Sequence, residues 1–212
     1  DERALKASVA VNSRVAERYP FLVEEVTRRG WEIVGHGVDM GRLHYGGQPV
    51  EEERGLVQQA LATLRKISGQ RVTGWLSPAS SESMNTLDLV AAEGVRYVCD
   101  WVMDDLPVSV RTSSGAIHAM PHAWETSDLQ LVLNYRHDAG EFARQVCDYF
   151  DVIYREAARC GGRVMALSLR PWVMGVPHRI QALERILDHV TRHAGVWSAT
   201  GAEIVEAFRG QP

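Results

Sequence analysis

Trp31-Glu32-Ile33-Val34-Gly35-His36-Gly37 is the stretch that decides the fold. Its short apolar run reads as a buried strand that delivers an imidazole to its carboxyl end. Glycine on both sides of His36 opens backbone conformations closed to other residues and lets a ligand come close to the main chain. A turn histidine without chemistry satisfies the same seven residues, so the surroundings have to decide.

Outward from this run the chain alternates β-rich pieces with segments of helical period. Residues 7–11 read as a strand, and Pro20 starts a helix carrying Leu22, Val23 and Val26 that stops at Gly30. After the His36 loop, 50–67 reads as a helix with Leu56, Leu61 and Leu64 on one side, and 72–76 as a strand closed by Pro78. Thr86 is expected to cap a short helix, and 95–99 to form a strand ending on Asp100. From 104 to 133 the pattern turns to hairpin-like pieces around Ser113-Ser114-Gly115. Asp138 opens a long helix that ends near Gly161-Gly162, followed by a strand over 164–169, a helix over 177–193, and a short strand at Val196-Trp197. Thr200-Gly201-Ala202-Glu203 is a capping box for the last helix.

Repeated βα units imply an α/β protein with a largely parallel sheet, open or closed into a barrel, and helices outside. In both arrangements chemistry gathers beyond the carboxyl ends of the strands. The residues expected there are Asn12, His36, Ser77, Asp100 with Trp101, and Arg170.

The 212 residues, 45% hydrophobic and 24% charged, suit one globular domain over 1–212. A formal charge of −4 with scattered Lys and Arg leaves no electrostatic footprint for nucleic acid. Cys99, Cys147 and Cys160 are odd in number and widely spaced, which fits a reducing compartment rather than a disulfide framework or a structural zinc motif. With no apolar stretch near the ~20 residues of a membrane span and no signal-peptide core after Asp1-Glu2-Arg3, a cytoplasmic protein without membrane association is expected.

Asp100-Trp101 followed by Asp104-Asp105 sets three carboxylates and an indole in one loop. Neighbouring carboxylates raise one another's pKa and can act as base, acid or orienting group; Asp104 and Asp105 could equally make turn bonds to backbone. His36 can be acid, base or metal ligand, although Asp39 and His44 nearby stand at no strong ligand spacing. Arg170 can hold a carboxylate, stabilise developing negative charge, or pair with a loop aspartate, but it gives up no proton at neutral pH. His44, His122 and His178 read as capping or hydrogen-bonding residues rather than metal ligands.

Taken in order, Gly35-His36-Gly37, Gly74-Trp75-Leu76-Ser77-Pro78, Tyr97-Val98-Cys99-Asp100-Trp101 with Asp104-Asp105, Leu167 to Pro171, and Gly175-Val176-Pro177-His178-Arg179 resemble the polysaccharide deacetylase superfamily of carbohydrate esterase family 4 type. The nearest likeness is to its intracellular branch of allantoinases and cyclic imide hydrolases, and it runs from about Leu5 to Phe208. The resemblance implies a distorted, incomplete β/α barrel and hydrolysis of a non-peptide carbon–nitrogen bond, in a small cyclic amide, a ureide or an N-acetyl group, by an activated water. Metal serves the deacetylases and is dispensable in the allantoinase-like branch, so no cofactor is expected, with zinc or another divalent ion as the alternative.

Carried over by position, His36 matches the first histidine of the metal or substrate motif, Ser77-Pro78 the groove motif, and Asp100-Trp101 the motif that orients the catalytic groups. Glu125 and Asp128 match an acidic pair of the small-amide branch. Asp100, His36 and Arg170 are thus the expected catalytic groups: Asp100 orients or activates, His36 binds substrate or metal, and Arg170 clamps negative charge. Backbone N–H groups near Ser77 and Pro78 are expected to stabilise the oxyanion. Trp101, Asp104, Asp105, Glu125, Asp128, His178, Ser77 and Pro78 form the expected contact set for a small-molecule substrate.

Three departures from the family pattern stand out. The second metal histidine falls at Met40, a soft thioether. The histidine that protonates the departing amine falls at Arg170. On the family's pattern the first strand, with its water-activating aspartate, would lie before Asp1. The strand at 7–11 would then be an edge, which a homo-oligomer or a preceding segment is expected to cover. A catalytically degenerate homologue that binds a metabolite or a partner, and a metal-dependent polysaccharide N-deacetylase, are the competing readings.

Overall fold

A computed structural model describes residues 3–210 and divides them into two compact units. The first unit takes the chain up to Met103, Pro107–Met120, and everything from Ser198 onward; the second takes Asp104–Leu106 and Pro121–Trp197.

The first unit holds β1 (Ser8–Val11), β2 (Glu32–Gly35), β3 (Gly74–Trp75), β4 (Tyr97–Val98), β5 (Val108–Thr112) and β6 (Gly115–Ala119). They form one sheet in the order β1-β2-β3-β4-β6-β5. All neighbours are parallel except the β5–β6 hairpin, which turns where Ser113-Ser114-Gly115 predicts. Among the described residues the sheet is open, with β1 at one edge and β5 at the other. The α/β class and the parallel order agree with the sequence-based expectation.

Helices α1 (Ser13–Arg18), α2 (Pro20–Arg28), α3 (Val50–Ser68) and α4 (Thr86–Ala92) connect the parallel strands. On α3, Val57, Leu61 and Leu64 are fully buried in the same cluster as Ile33 and Trp75 of the sheet. Each such side chain contributes roughly 1.5–3 kcal/mol relative to an exposed one. Helix α1 has no counterpart among the expected elements, because six residues carry too few periods of the pattern to register. Thr86 begins α4 but does not cap it: its hydroxyl donates to Glu53 Oε1 at 2.5 Å.

In the second unit α5 (Ala139–Cys160) starts at the Asp138 cap, whose carboxylate accepts from the Glu141 N–H at 2.8 Å. It buries Phe142, Val146, Phe150 and Ile153 and packs on α7 (Ile180–Thr191); the four-residue α6 (Pro171–Met174) adds Val173 and Met174 to the same core. The strand expected over 164–169 is absent. Ser168 makes one parallel bridge to Ser127, while the Val164 N–H goes to the Asp105 carbonyl (2.8 Å) and the Ala166 carbonyl accepts from the Thr126 hydroxyl (2.6 Å). Backbone groups already paired with these distant segments form no continuous ladder. Val196 and Trp197 are exposed coil for want of a partner strand, and the helix expected from 177 starts only at Ile180.

Back in the first unit, α8 (Gly201–Arg209) has the full capping box, with Thr200 and Glu203 satisfying each other's backbone N–H groups. Glu32 of β2 also faces this helix start and accepts from the Ala202 N–H at 3.2 Å and the Ser8 hydroxyl at 2.7 Å. Tyr97 is buried between two glycines: a Cβ on Gly74 or on Gly201 would fall 2.3 Å or 2.4 Å from its hydroxyl end.

Candidate active site

His36, Ser77 and Asp100 lie in the loops after β2, β3 and β4, beyond the carboxyl ends of adjacent parallel strands. The His36 Nδ1 is 2.6 Å from the Leu76 carbonyl oxygen. A carbonyl only accepts, so Nδ1 carries the proton. The N–H of Ser77, on the other side of the same peptide bond, donates to Asp100 Oδ1 at 2.8 Å. The Ser77 hydroxyl takes the Trp75 indole N–H at 2.9 Å.

These contacts correct three expectations. Ser77 and Pro78 are buried, so they position Asp100 and His36 and do not contact substrate. The Ser77 N–H is committed to Asp100 and proline has none, so neither supplies an oxyanion donor. The room beside His36 also belongs to the protein, not to a ligand. A Cβ on Gly37, whose φ is +68°, would sit 2.5 Å from the Pro78 ring, and one on Gly35 would sit 2.7 Å from Trp75.

An open cavity of about 390 Å³ adjoins Asp100, lined also by Ser80, Glu82, Ser83, Met84 and Trp101. Trp101 is half-exposed and its indole N–H donates to Glu82 Oε2 at 2.7 Å. The Asp100 and Glu82 carboxyls are close enough for each to perturb the other. Asp100 Oδ2 and Glu82 Oε1 are both buried with no hydrogen-bond partner. Two neighbouring buried carboxylates disfavour double ionisation, so the pair tends to keep a proton. Burial, and then the Glu82 carboxylate, push Asp100 up to about 8 against the pull of the Ser77 donors. Burial likewise raises Glu82, opposed by the Trp101 N–H.

The loop that presents Glu82 is anchored from below by Glu53. This fully buried α3 carboxylate accepts from the Ser83 and Thr86 hydroxyls, each at 2.5 Å, and lies 3.3 Å from the buried His44 ring. Burial lowers the His44 pKa more than Glu53 raises it, which keeps the ring neutral near pH 7. At the start of the loop Ala79 and Ser80 hold φ of 55° and 50°, a left-handed conformation that non-glycine residues adopt at a cost of roughly 1–3 kcal/mol each. The surroundings of the cavity therefore maintain a strained backbone.

The remaining expected site residues fall in the second unit. Arg170 donates to Asp128 Oδ1 and to the Ser127 and Ser168 hydroxyls at 3.0–3.1 Å, and its backbone N–H reaches Asp128 Oδ2 at 2.6 Å. Asp128 is fully buried, so both residues of this pair are structurally committed, and Asp128 cannot touch substrate as expected. His122 lies 3.1 Å from the Ser168 hydroxyl. Asp104 accepts from the Asp105 N–H at 2.6 Å, a turn bond, and Asp105 accepts from the Tyr149 hydroxyl at 3.0 Å. Asp105 and Glu125 line a shallow cavity of about 500 Å³ in this unit with Asp148, Tyr149 and Glu156. His178 is an exposed turn residue.

The corner around His36 does not fit a bound metal among the described residues. Met40 is exposed, and the Asp39 carboxylate is taken by Arg14 (3.2 Å) and Arg42 (3.6 Å). Burial pushes the Cys99 thiol far up, which removes it as a nucleophile.

Sequence reasoning missed Glu82 and Glu53. Glu53 had a signal: it sits four residues before Val57 on the stripe continued by Ala60, Leu61 and Leu64, an acid in an apolar row. Glu82 had none, since an acid between serines in a loop reads as solvated.

The polysaccharide deacetylase family model matches residues 1–98. A protein of Schizosaccharomyces pombe described as a polysaccharide deacetylase is 23% identical over 92% of this chain, and the chain spans only 65% of it. A peptidoglycan deacetylase of Helicobacter pylori is 22% identical over 83% of this chain and 72% of its own. Among solved structures, one described as a polysaccharide deacetylase of Pseudomonas aeruginosa superposes with a TM-score of 0.88 at 28% identity, covering all of this chain and 70% of that one. Puue allantoinase gives 0.88 at 25% identity over 98% of this chain and 68% of its own. Strand order, the loop positions of His36 and Asp100, and these likenesses converge: the chain is similar to the polysaccharide deacetylases in its first 98 residues and in its fold.

Proposed function

We propose that this chain is the hydrolytic domain of an enzyme that cleaves carbon–nitrogen bonds other than peptide bonds, in a small cyclic amide, a ureide or an N-acetyl group. The observation that carries the reading is the buried pair of carboxyls on the wall of the cavity, Asp100 beside Glu82, with burial raising Asp100 to about 8. A carboxyl pair holding one proton near neutrality is poised for both halves of amide hydrolysis. It accepts a proton from the attacking water as the carbon–oxygen bond forms. It returns one to the nitrogen as the carbon–nitrogen bond breaks, and ends with the proton it began with. Such a pair also answers the loss of the family's histidine at Arg170, which cannot donate a proton. His36 orients Asp100 through the Leu76–Ser77 peptide, and the exposed Trp101 face offers a platform for a planar amide or a sugar ring.

A second reading, a homologue that binds its ligand without turning it over, draws on the locking of Arg170 to Asp128 and on Met40. We further propose a cytoplasmic homo-oligomer; three free cysteines and the edge position of β1 support that part.

The test is an assay of allantoin, cyclic imides and N-acetylated chito-oligomers with the parent protein and Asp100→Asn. Hydrolysis that falls by about 10²–10⁴-fold in the variant supports the reading. Unchanged hydrolysis overturns the role of Asp100, and binding of these compounds without hydrolysis by the parent favours the second reading.

A further inference from the structure

The second unit carries a cluster of side chains that the hydrolytic reading does not use. Asp151 on α5, His189 on α7 and His193 just beyond α7 each offer one ligand atom, all within 4.8 Å of one another. The two histidines are four residues apart, so their rings share one face, with centroids 5.1 Å apart. Asp151 Oδ1 lies 2.7 Å from His189 Nε2, which brings the carboxylate from the facing helix into the same group. Phe150 and Tyr154 pack on the His193 ring at 4.9 Å and restrict its rotation.

A second observation bears on His193 itself. Its Nδ1 is 2.7 Å from the His189 carbonyl oxygen, which only accepts, so Nδ1 holds the proton and Nε2 carries the lone pair. A ring N–H tied to a backbone carbonyl is the outer support that metal-binding histidines characteristically have.

We propose that Asp151, His189 and His193 form a binding site for a divalent transition ion of zinc type, with water in the remaining position. Two imidazoles and one carboxylate suit zinc, whereas calcium and magnesium favour all-oxygen shells. The site belongs to the second unit, and His36 lies in the first.

Arg192 controls entry. Its guanidinium donates to His189 Nδ1 at 2.8 Å, which places the His189 proton on Nε2, facing Asp151. An ion at Nε2 requires that proton to move to Nδ1, so the exposed Arg192 side chain has to swing away. No net proton is released, and the ion replaces a hydrogen bond between α5 and α7 with coordinate bonds from Asp151 on α5, His189 on α7 and His193 just beyond it.

The experiment is a calorimetric titration of the chelator-stripped full chain with zinc chloride, with cobalt(II) absorption as a second readout of coordination. One ion per chain is expected. Asp151→Asn and His193→Ala should each weaken binding by more than about tenfold, since losing a ligand exceeds the loss of an outer support. Arg192→Gln should tighten binding, and zinc should raise the melting temperature of the parent but not of His193→Ala. Circular dichroism checks that the variants fold. Absence of binding by the folded parent overturns the proposal, as does binding that survives both ligand substitutions but is lost in His36→Ala.

Discussion

His36 and Asp100 are joined through a single peptide group. The Leu76 carbonyl accepts from the imidazole at 2.6 Å and the Ser77 N–H donates to the carboxylate at 2.8 Å, so the two side chains share the ends of one dipole. Above about pH 8, where Asp100 is ionised, its charge polarises that peptide and makes the carbonyl a better acceptor for His36. Asp100→Asn should therefore loosen the His36 hydrogen bond, seen as an upfield move of the Nδ1 proton in NMR spectra; an unmoved resonance would show that the two ends act independently.

Glu82→Gln keeps the size of the side chain and removes the carboxylate that helps raise Asp100. The Asp100 pKa should fall, and the alkaline limb of the rate profile should move to lower pH, because the proton-holding form disappears sooner. A pH series of kcat/KM on any hydrolysed substrate reads this directly. A structural role for Glu82 alone would leave the limb in place.

Stability should carry the same signature. Asp100 rises from its ordinary 3.8 to about 8, so between these values the folded chain binds more protons than the unfolded one. The contribution is complete below the lower value and is lost as pH rises through the upper one. Urea midpoints should fall across that window in the parent and fall less in Asp100→Asn.

Arg170→Ala leaves the fully buried Asp128 without its guanidinium. The expected loss is about 3 kcal/mol, at the low end for a broken buried pair because Arg170 is partly exposed and its backbone N–H still reaches the carboxylate. Equilibrium denaturation measures it, and a loss well under 1 kcal/mol would show that the pair is not needed to hold this loop.

Gly37→Ala combines an unfavourable φ with a contact of 2.5 Å to the Pro78 ring. We expect a destabilisation of roughly 1–3 kcal/mol and a displaced His36. Thermal melting together with the Nδ1 proton resonance tests both effects.

The elements with a strong period or a cap were legible in the sequence: α3 through its leucine stripe, α5 through Asp138, α8 through Thr200 and Glu203, and the parallel strands ending at Gly35, Trp75 and Val98. The stretch over 164–169 looked like a strand because its alternation matches one, but pairing is a property of neighbours that composition does not contain. Nothing in length or composition marks the division into two units. The loop positions of His36 and Asp100 after parallel strands were legible from the strand pattern. What they touch depended on contacts across the fold, such as Glu82 beside Asp100 and Pro78 filling the space over Gly37.

Tyr97 makes three distant positions heritable as one. With its ring wedged between Gly74 and Gly201, a methyl group at either glycine is admissible only alongside a smaller residue at 97, and a smaller residue at 97 leaves a void unless a glycine has grown. Mutational drift through this part of the first unit therefore proceeds by compensated pairs, and a library that varies these positions singly would record all three as intolerant while missing the combinations that fold.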